Sequence, residues 1–73
     1  MALDRLGKYQ EAIEYYDKAI EIDANFIDAQ ISKGWALDGL GKYKEAIEYY
    51  DKALDIDPIN IRAWNNKVIL LTI

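Results

Sequence analysis

The chain repeats itself at an offset of 34 residues. The run Gly7-Lys8-Tyr9-Gln10-Glu11-Ala12-Ile13-Glu14-Tyr15-Tyr16-Asp17-Lys18-Ala19 returns as Gly41-Lys42-Tyr43-Lys44-Glu45-Ala46-Ile47-Glu48-Tyr49-Tyr50-Asp51-Lys52-Ala53, with only Gln10 and Lys44 differing. Comparing residues 2 to 24 with 36 to 58, five of 23 pairs differ (Arg5/Gly39, Gln10/Lys44, Ile20/Leu54, Glu21/Asp55 and Ala24/Pro58), which leaves 18 identical. Shared composition does not produce such a match. A period of this length is the signature of a solenoid, in which each repeat is one supersecondary unit that buries its apolar face only by stacking on its neighbours.

The apolar residues inside each copy are spaced for a helix. Ala12, Ile13, Tyr16, Ala19 and Ile20 form one stripe, and Ala46, Ile47, Tyr50, Ala53 and Leu54 form its counterpart. Between them, Ile27 to Leu40 reads as a helix closed by Gly39 and Gly41, because glycine tolerates the left-handed conformation that ends helices. Pro58 breaks the chain after the second copy, and Asn60 is placed to cap a last helix from Ile61. Helices are therefore expected near 9–22, 27–39, 43–56 and 61–72, with residues 1 to 6 as the final turn of another. Glu14 with Lys18 and Glu48 with Lys52 have the four-residue spacing of surface ion pairs worth a few tenths of a kcal/mol.

With 73 residues the chain makes one small domain whose own core is marginal. Its 52% hydrophobic and 30% charged residues fit a folded soluble chain. The net charge of −4 lacks the attraction to phosphate that nucleic-acid binders use. The longest apolar run, Val68 to Leu71, is too short to span a bilayer, and Met1 to Gln10 lacks the apolar core of a signal peptide. The lack of cysteine suits a reducing cytoplasm, which is the expected location. Neither nucleic acid nor membrane is an expected partner.

Several segments together resemble the tetratricopeptide repeat: Trp64-Asn65-Asn66-Lys67, Gly34, Leu40-Gly41-Lys42-Tyr43, Glu45-Ala46-Ile47, Tyr50-Asp51-Lys52-Ala53 and Pro58. The likeness covers nearly the whole chain. It implies an all-α solenoid of helical hairpins, A then B, of about two repeats with incomplete terminal units. Residues 1–26 would be the end of one repeat, mainly helix B, 27–60 one full repeat, and 61–73 helix A of a further one. In the family, small residues matching Gly34, Ala46 and Ala53 let helices approach closely, and the proline ends helix B. The pattern departs at Gln30, where the family has a large aromatic, at Val68, where it has glycine, and at Ala24, where it has proline. Ala24 removes one helix stop, so the first B-helix is expected to run further toward Phe26 than the second does past Pro58.

The residues offer little chemistry. There is no His and no Cys, and Ser32 and Thr72 are the sole hydroxyls besides the tyrosines, so no catalytic residues, cofactor or metal site are assigned and the chain is not expected to be an enzyme. Gly41-Lys42 is a poor phosphate loop, since Tyr43 replaces the required Ser or Thr and Ala36 the first glycine. Asp55 and Asp57 have no further ligands at calcium-loop spacing.

A surface remains. The resemblance implies a scaffold for a protein or peptide, with the A-helices lining a concave groove at Asp28, Ile31, Ser32, Trp35 and Asp38, then Arg62, Asn65, Asn66, Ile69 and Thr72. Ile31 and Trp35, one turn apart, form an apolar anchor site, or else Trp35 packs against neighbouring helices. Some family members grip a peptide's terminal carboxylate, but only Arg62 and Asn66 suit that task here, and an extended or helical segment with apolar anchors fits better. The alternative function is structural self-assembly through unpaired terminal helices, at Ala12 and Tyr16 on one side and Val68, Leu70, Leu71 and Ile73 on the other. The joint would be an open head-to-tail stack or a two-fold dimer, unless the chain is a piece of a longer array. Val68 disfavours a perfect joint, because the family's glycine there is expected to meet a small residue of helix B, Ala12 of the neighbouring chain.

Overall fold

The computed structural model describes residues 2–72, with side chains from Gly7 onward. Four helices follow one another: α1 (Ala2–Ile22), α2 (Ile27–Gly39), α3 (Tyr43–Ile56) and α4 (Ile61–Leu71). Each packs on the next, and α2 also touches α4, whereas among the described residues α1 and α3 do not pack together. The layer therefore curves, with α2 and α4 on its inner side.

Small residues set the helix spacing. Gly34 of α2 lies beneath the Tyr50 ring of α3, so close that a Cβ on Gly34 would sit 2.5 Å from the ring. Tyr50 is only 1% exposed, and with Ala46, Ala53 and Leu54 of α3 it joins Ile31 and Leu37 of α2 and Ala63 and Leu70 of α4 in one core. Gly39 repeats the device on the other side of α2, where the Tyr9 ring of α1 lies 2.5 Å from where its Cβ would be.

Four sequence expectations change. First, α1 runs unbroken from Ala2 through Gly7, so residues 2 to 6 are not a separate helical end. Gly41 makes the turn that Gly7 does not: its φ of 81° lets the Gly41 N–H donate to the Asp38 carbonyl and the Lys42 N–H to that of Leu37, closing α2. That turn is held by α2 packing on α3, whereas the local helical preference continues through Gly7. Second, Gly39 is the last helical residue of α2 rather than its left-handed stop.

Third, α1 ends at Ile22 and α3 at Ile56, 34 residues apart, so the missing proline at Ala24 lengthens nothing. An aspartate stops both helices. Asp23 Oδ1 accepts from the Asn25 N–H at 3.0 Å and Asp57 Oδ1 from that of Ile59 at 3.4 Å, an alternative bond for the backbone that favours a turn. Fourth, the Glu14–Lys18 and Glu48–Lys52 pairs are not formed; Lys18 and Lys52 lie over the rings of Tyr15 and Tyr49 instead. Asn60 does cap α4, its side chain accepting from the Ala63 N–H at 3.0 Å.

Candidate groove on the inner face

The inner face holds a cavity of about 260 Å³ lined by Tyr16 of α1, Ile31, Ser32 and Trp35 of α2, and Arg62 and Asn66 of α4. Helical spacing accounts for the set. Residues 31, 32 and 35 project from one side of α2, and 62 and 66, one turn apart, project from the facing side of α4. Trp35 is 52% exposed, with its ring meeting the edge of Tyr9 at a centroid distance of 5.3 Å. Arg62 reaches Asp28 at 3.6 Å, an exposed pair bridging α2 and α4 at the rim.

Five of the residues assigned to the groove thus come together: Ile31, Ser32, Trp35, Arg62 and Asn66. Ile31 does so differently from expectation. It is 1% exposed and belongs to the core, so it floors the cavity and does not stand out as an anchor, leaving Trp35 as the apolar group on the α2 side. Asp38, Asn65, Ile69 and Thr72 do not line the cavity. Asp38 lies near Tyr50: burial first, and the Asp38 charge second, push the Tyr50 hydroxyl up to about 12. Thr72 spends its hydroxyl on the Ile69 carbonyl, as the helix ends there.

Tyr16 is the lining residue that sequence reasoning placed elsewhere. Its counterpart Tyr50 is covered by α2, whereas Tyr16 stays half-exposed and turns toward the inner face. Among residues assigned to self-association, Leu70 is buried in the core and cannot belong to an open stripe. Val68 and Leu71 are exposed, Ala12 is half-exposed, and Ile73 lies outside the described residues. The partner of the family glycine also changes, since Gly34 meets Tyr50, whose counterpart one repeat earlier is Tyr16 and not Ala12.

Two ion pairs tie successive helices together at the same repeat positions. Lys33 of α2 pairs with Asp17 of α1, and Lys67 of α4 pairs with Asp51 of α3 at 2.5 Å. Lys33 also donates to the Tyr49 hydroxyl at 2.8 Å. Burial alone would lower its pKa, but the bonds to Asp17 and Tyr49 outweigh it, and the ammonium is held above its ordinary value. Among the described residues no group of three or more His, Cys, Asp or Glu side chains is placed to hold a metal, and no helix is long and apolar enough to cross a membrane.

Hairpins stacked in sequence order, with close A–B contacts at small residues and an inner groove, define a helical-repeat solenoid. The chain belongs to the tetratricopeptide repeat family, whose model matches residues 1–26 and 27–60. No curated protein matches the chain. Repeats of this family mediate protein–protein interaction and are typically non-enzymatic scaffolds.

Proposed function

We propose that the chain is an interaction scaffold whose inner face takes a peptide or helix by inserting one large apolar side chain between Trp35 and Tyr16, with Arg62 and Asn66 binding its backbone or a flanking acidic group. The supporting observation is the cavity itself, built from three helices. At about 260 Å³ it falls below the roughly 300–1,000 Å³ of small-molecule sites but has room for one side chain. Asn66 both donates and accepts, as backbone recognition requires, and Arg62 only donates. The net charge of −4 argues against nucleic acid as the partner, and the cysteine-free sequence suits the cytoplasm. The test is to select binders from a displayed random-peptide library and map the best by amide chemical shifts. Changes centred on Ile31, Ser32, Trp35, Arg62 and Asn66 support the reading, and changes confined to α3 contradict it.

A second reading is self-association through the terminal helices, and one observation favours it. Trp64, Val68 and Leu71 form an apolar row on α4 at helical spacing, and all three are exposed. Their counterparts on α2, namely Gln30, Gly34 and Leu37, are all buried. Sedimentation of the 73-residue chain over a concentration series tests this reading, with constant monomer mass as the contrary result.

A further inference from the structure

The open row on α4 and the open stripe on α1 are the two halves of an interface that the chain already builds once. Where α2 meets α3, Tyr50 covers Gly34, Leu37 is buried, and Lys33 donates to the Tyr49 hydroxyl at 2.8 Å. Thirty-four residues after the α2 set, α4 presents Lys67, Val68 and Leu71, with Val68 49% and Leu71 64% exposed. Thirty-four residues before the α3 set, α1 presents Ala12, Tyr15 and Tyr16, none of them buried. Lys67 has its Asp51, as Lys33 has Asp17, but not the tyrosine hydroxyl that completes the arrangement at Lys33.

Resting on the second reading above, we propose that α4 of one copy docks on α1 of a second copy in the register of α2 on α3, and that Val68 holds this joint weak. Lys67 then donates to the Tyr15 hydroxyl of the second copy, and Tyr16 of that copy lies over Val68. Charge complementarity supports the register. Within the chain Asp28 of α2 pairs with Arg62 of α4; advancing the stack by one repeat sets Arg62 of the first copy beside Asp28 of the second, again an acid against a base. The contact is head-to-tail, since the two copies use different surfaces.

Val68 is the obstacle. A single Cβ at the matching Gly34 would already lie 2.5 Å from the Tyr50 ring, and valine adds two methyl groups to that Cβ. The Tyr16 ring must move outward over Val68, and the packing beneath it is lost. Exchanging Val68 for a smaller residue therefore tightens association, the reverse of what trimming an ordinary apolar interface does.

The experiment is sedimentation equilibrium of the full chain and of Val68→Gly, Val68→Ala, Tyr15→Ala and the double variant Val68→Gly/Tyr15→Ala. Val68→Gly is expected to associate at least tenfold more tightly than the wild-type chain. Val68→Ala retains helix propensity and guards against simple fraying of α4, and it should fall between the two. Tyr15→Ala, at a site exposed in the single chain, should reverse most of the gain. If the wild-type chain associates but Val68→Gly and Val68→Ala are no tighter, the register is wrong while self-association stands. If neither the wild-type chain nor Val68→Gly nor Val68→Ala associates, the register and self-association both fall.

Discussion

Gln30 and Trp64, one repeat apart, make the same hydrogen bond. Gln30 Nε2 donates to the Ala24 carbonyl at 2.6 Å, and Trp64 Nε1 donates to the Pro58 carbonyl at 2.7 Å, each reaching back six residues to the turn before its own helix. The glutamine thus replaces the donor of the family's aromatic residue, though not its bulk. It does so at a cost, because Gln30 is buried and its Oε1 has no hydrogen-bond partner among the described residues.

Gln30→Glu tests that bond without changing shape. A carboxylate cannot donate to the Ala24 carbonyl, and its burial disfavours the charge, so about 2–3 kcal/mol of stability should be lost at neutral pH. Burial raises the folded-state pKa of the new acid above its unfolded value. The loss is therefore absent below the unfolded pKa, near 4.3, and grows as pH rises through the folded one. Urea unfolding of variant and wild type at pH 4 and pH 7 measures it, and an equal deficit at both values would contradict the donor role.

Gly34→Ala places a methyl group against the Tyr50 ring. Alanine favours the helix by roughly 1 kcal/mol, but overpacking costs about 1–3 kcal/mol, and the buried ring has little room to move. A net loss of up to about 2 kcal/mol is expected by thermal or urea unfolding. Combining it with Tyr50→Leu should give less than the sum of the separate losses, as expected for residues in contact. Strict additivity would mean that the two do not meet.

Tyr50 links stability to alkaline pH. Its folded pKa of about 12 lies above the ordinary tyrosine value of 10, so its contribution is complete below pH 10 and is lost as pH rises toward 12. Two pH units correspond to at most about 2–3 kcal/mol. The measurement is the difference between wild type and Tyr50→Phe, in which every other effect of alkaline pH cancels. The wild-type chain should lose more stability between pH 10 and pH 12 than the variant does, and parallel curves would contradict the assignment.

Lys33→Met should destabilise the fold by about 1–3 kcal/mol, and Lys67→Met by less, with both read by urea unfolding. Lys33 is the more buried, and its loss leaves Asp17 and the Tyr49 hydroxyl without their partner, whereas Lys67 serves only Asp51 among carboxylates. The reverse order would show that the Tyr49 hydroxyl contributes nothing to the pair.

The fold was legible in the sequence because its main determinant is periodic. The 34-residue match with its apolar stripe located α3, the glycines and Pro58 bounded α2 and α4, all to within a residue, and Asn60 announced its own cap. What failed to show was whatever depends on the neighbour rather than on the segment. Gly7 and Gly41 have the same local sequence, yet only Gly41 turns the chain, because only there do two helices pack on either side. Asp23 and Asp57, identical in the two copies, end their helices alike, and attention to the proline that differs hid the aspartate that does not. In the groove, the family resemblance put Ser32, Trp35, Arg62 and Asn66 on the inner face. It could not say that Ile31 sinks into the core or that Tyr16 turns toward the cavity, since both depend on which helix covers which.

The groove is tested most directly by the affinity of a library-selected peptide for the wild-type chain and for Trp35→Ala, measured by titration calorimetry alongside the thermal unfolding of both proteins. Trp35 is half-exposed at the cavity wall, so its removal should weaken binding by about 2 kcal/mol or more, roughly thirtyfold, with the unfolding temperature changed little. Unchanged affinity together with a large fall in unfolding temperature would contradict it, and would make Trp35 a packing residue.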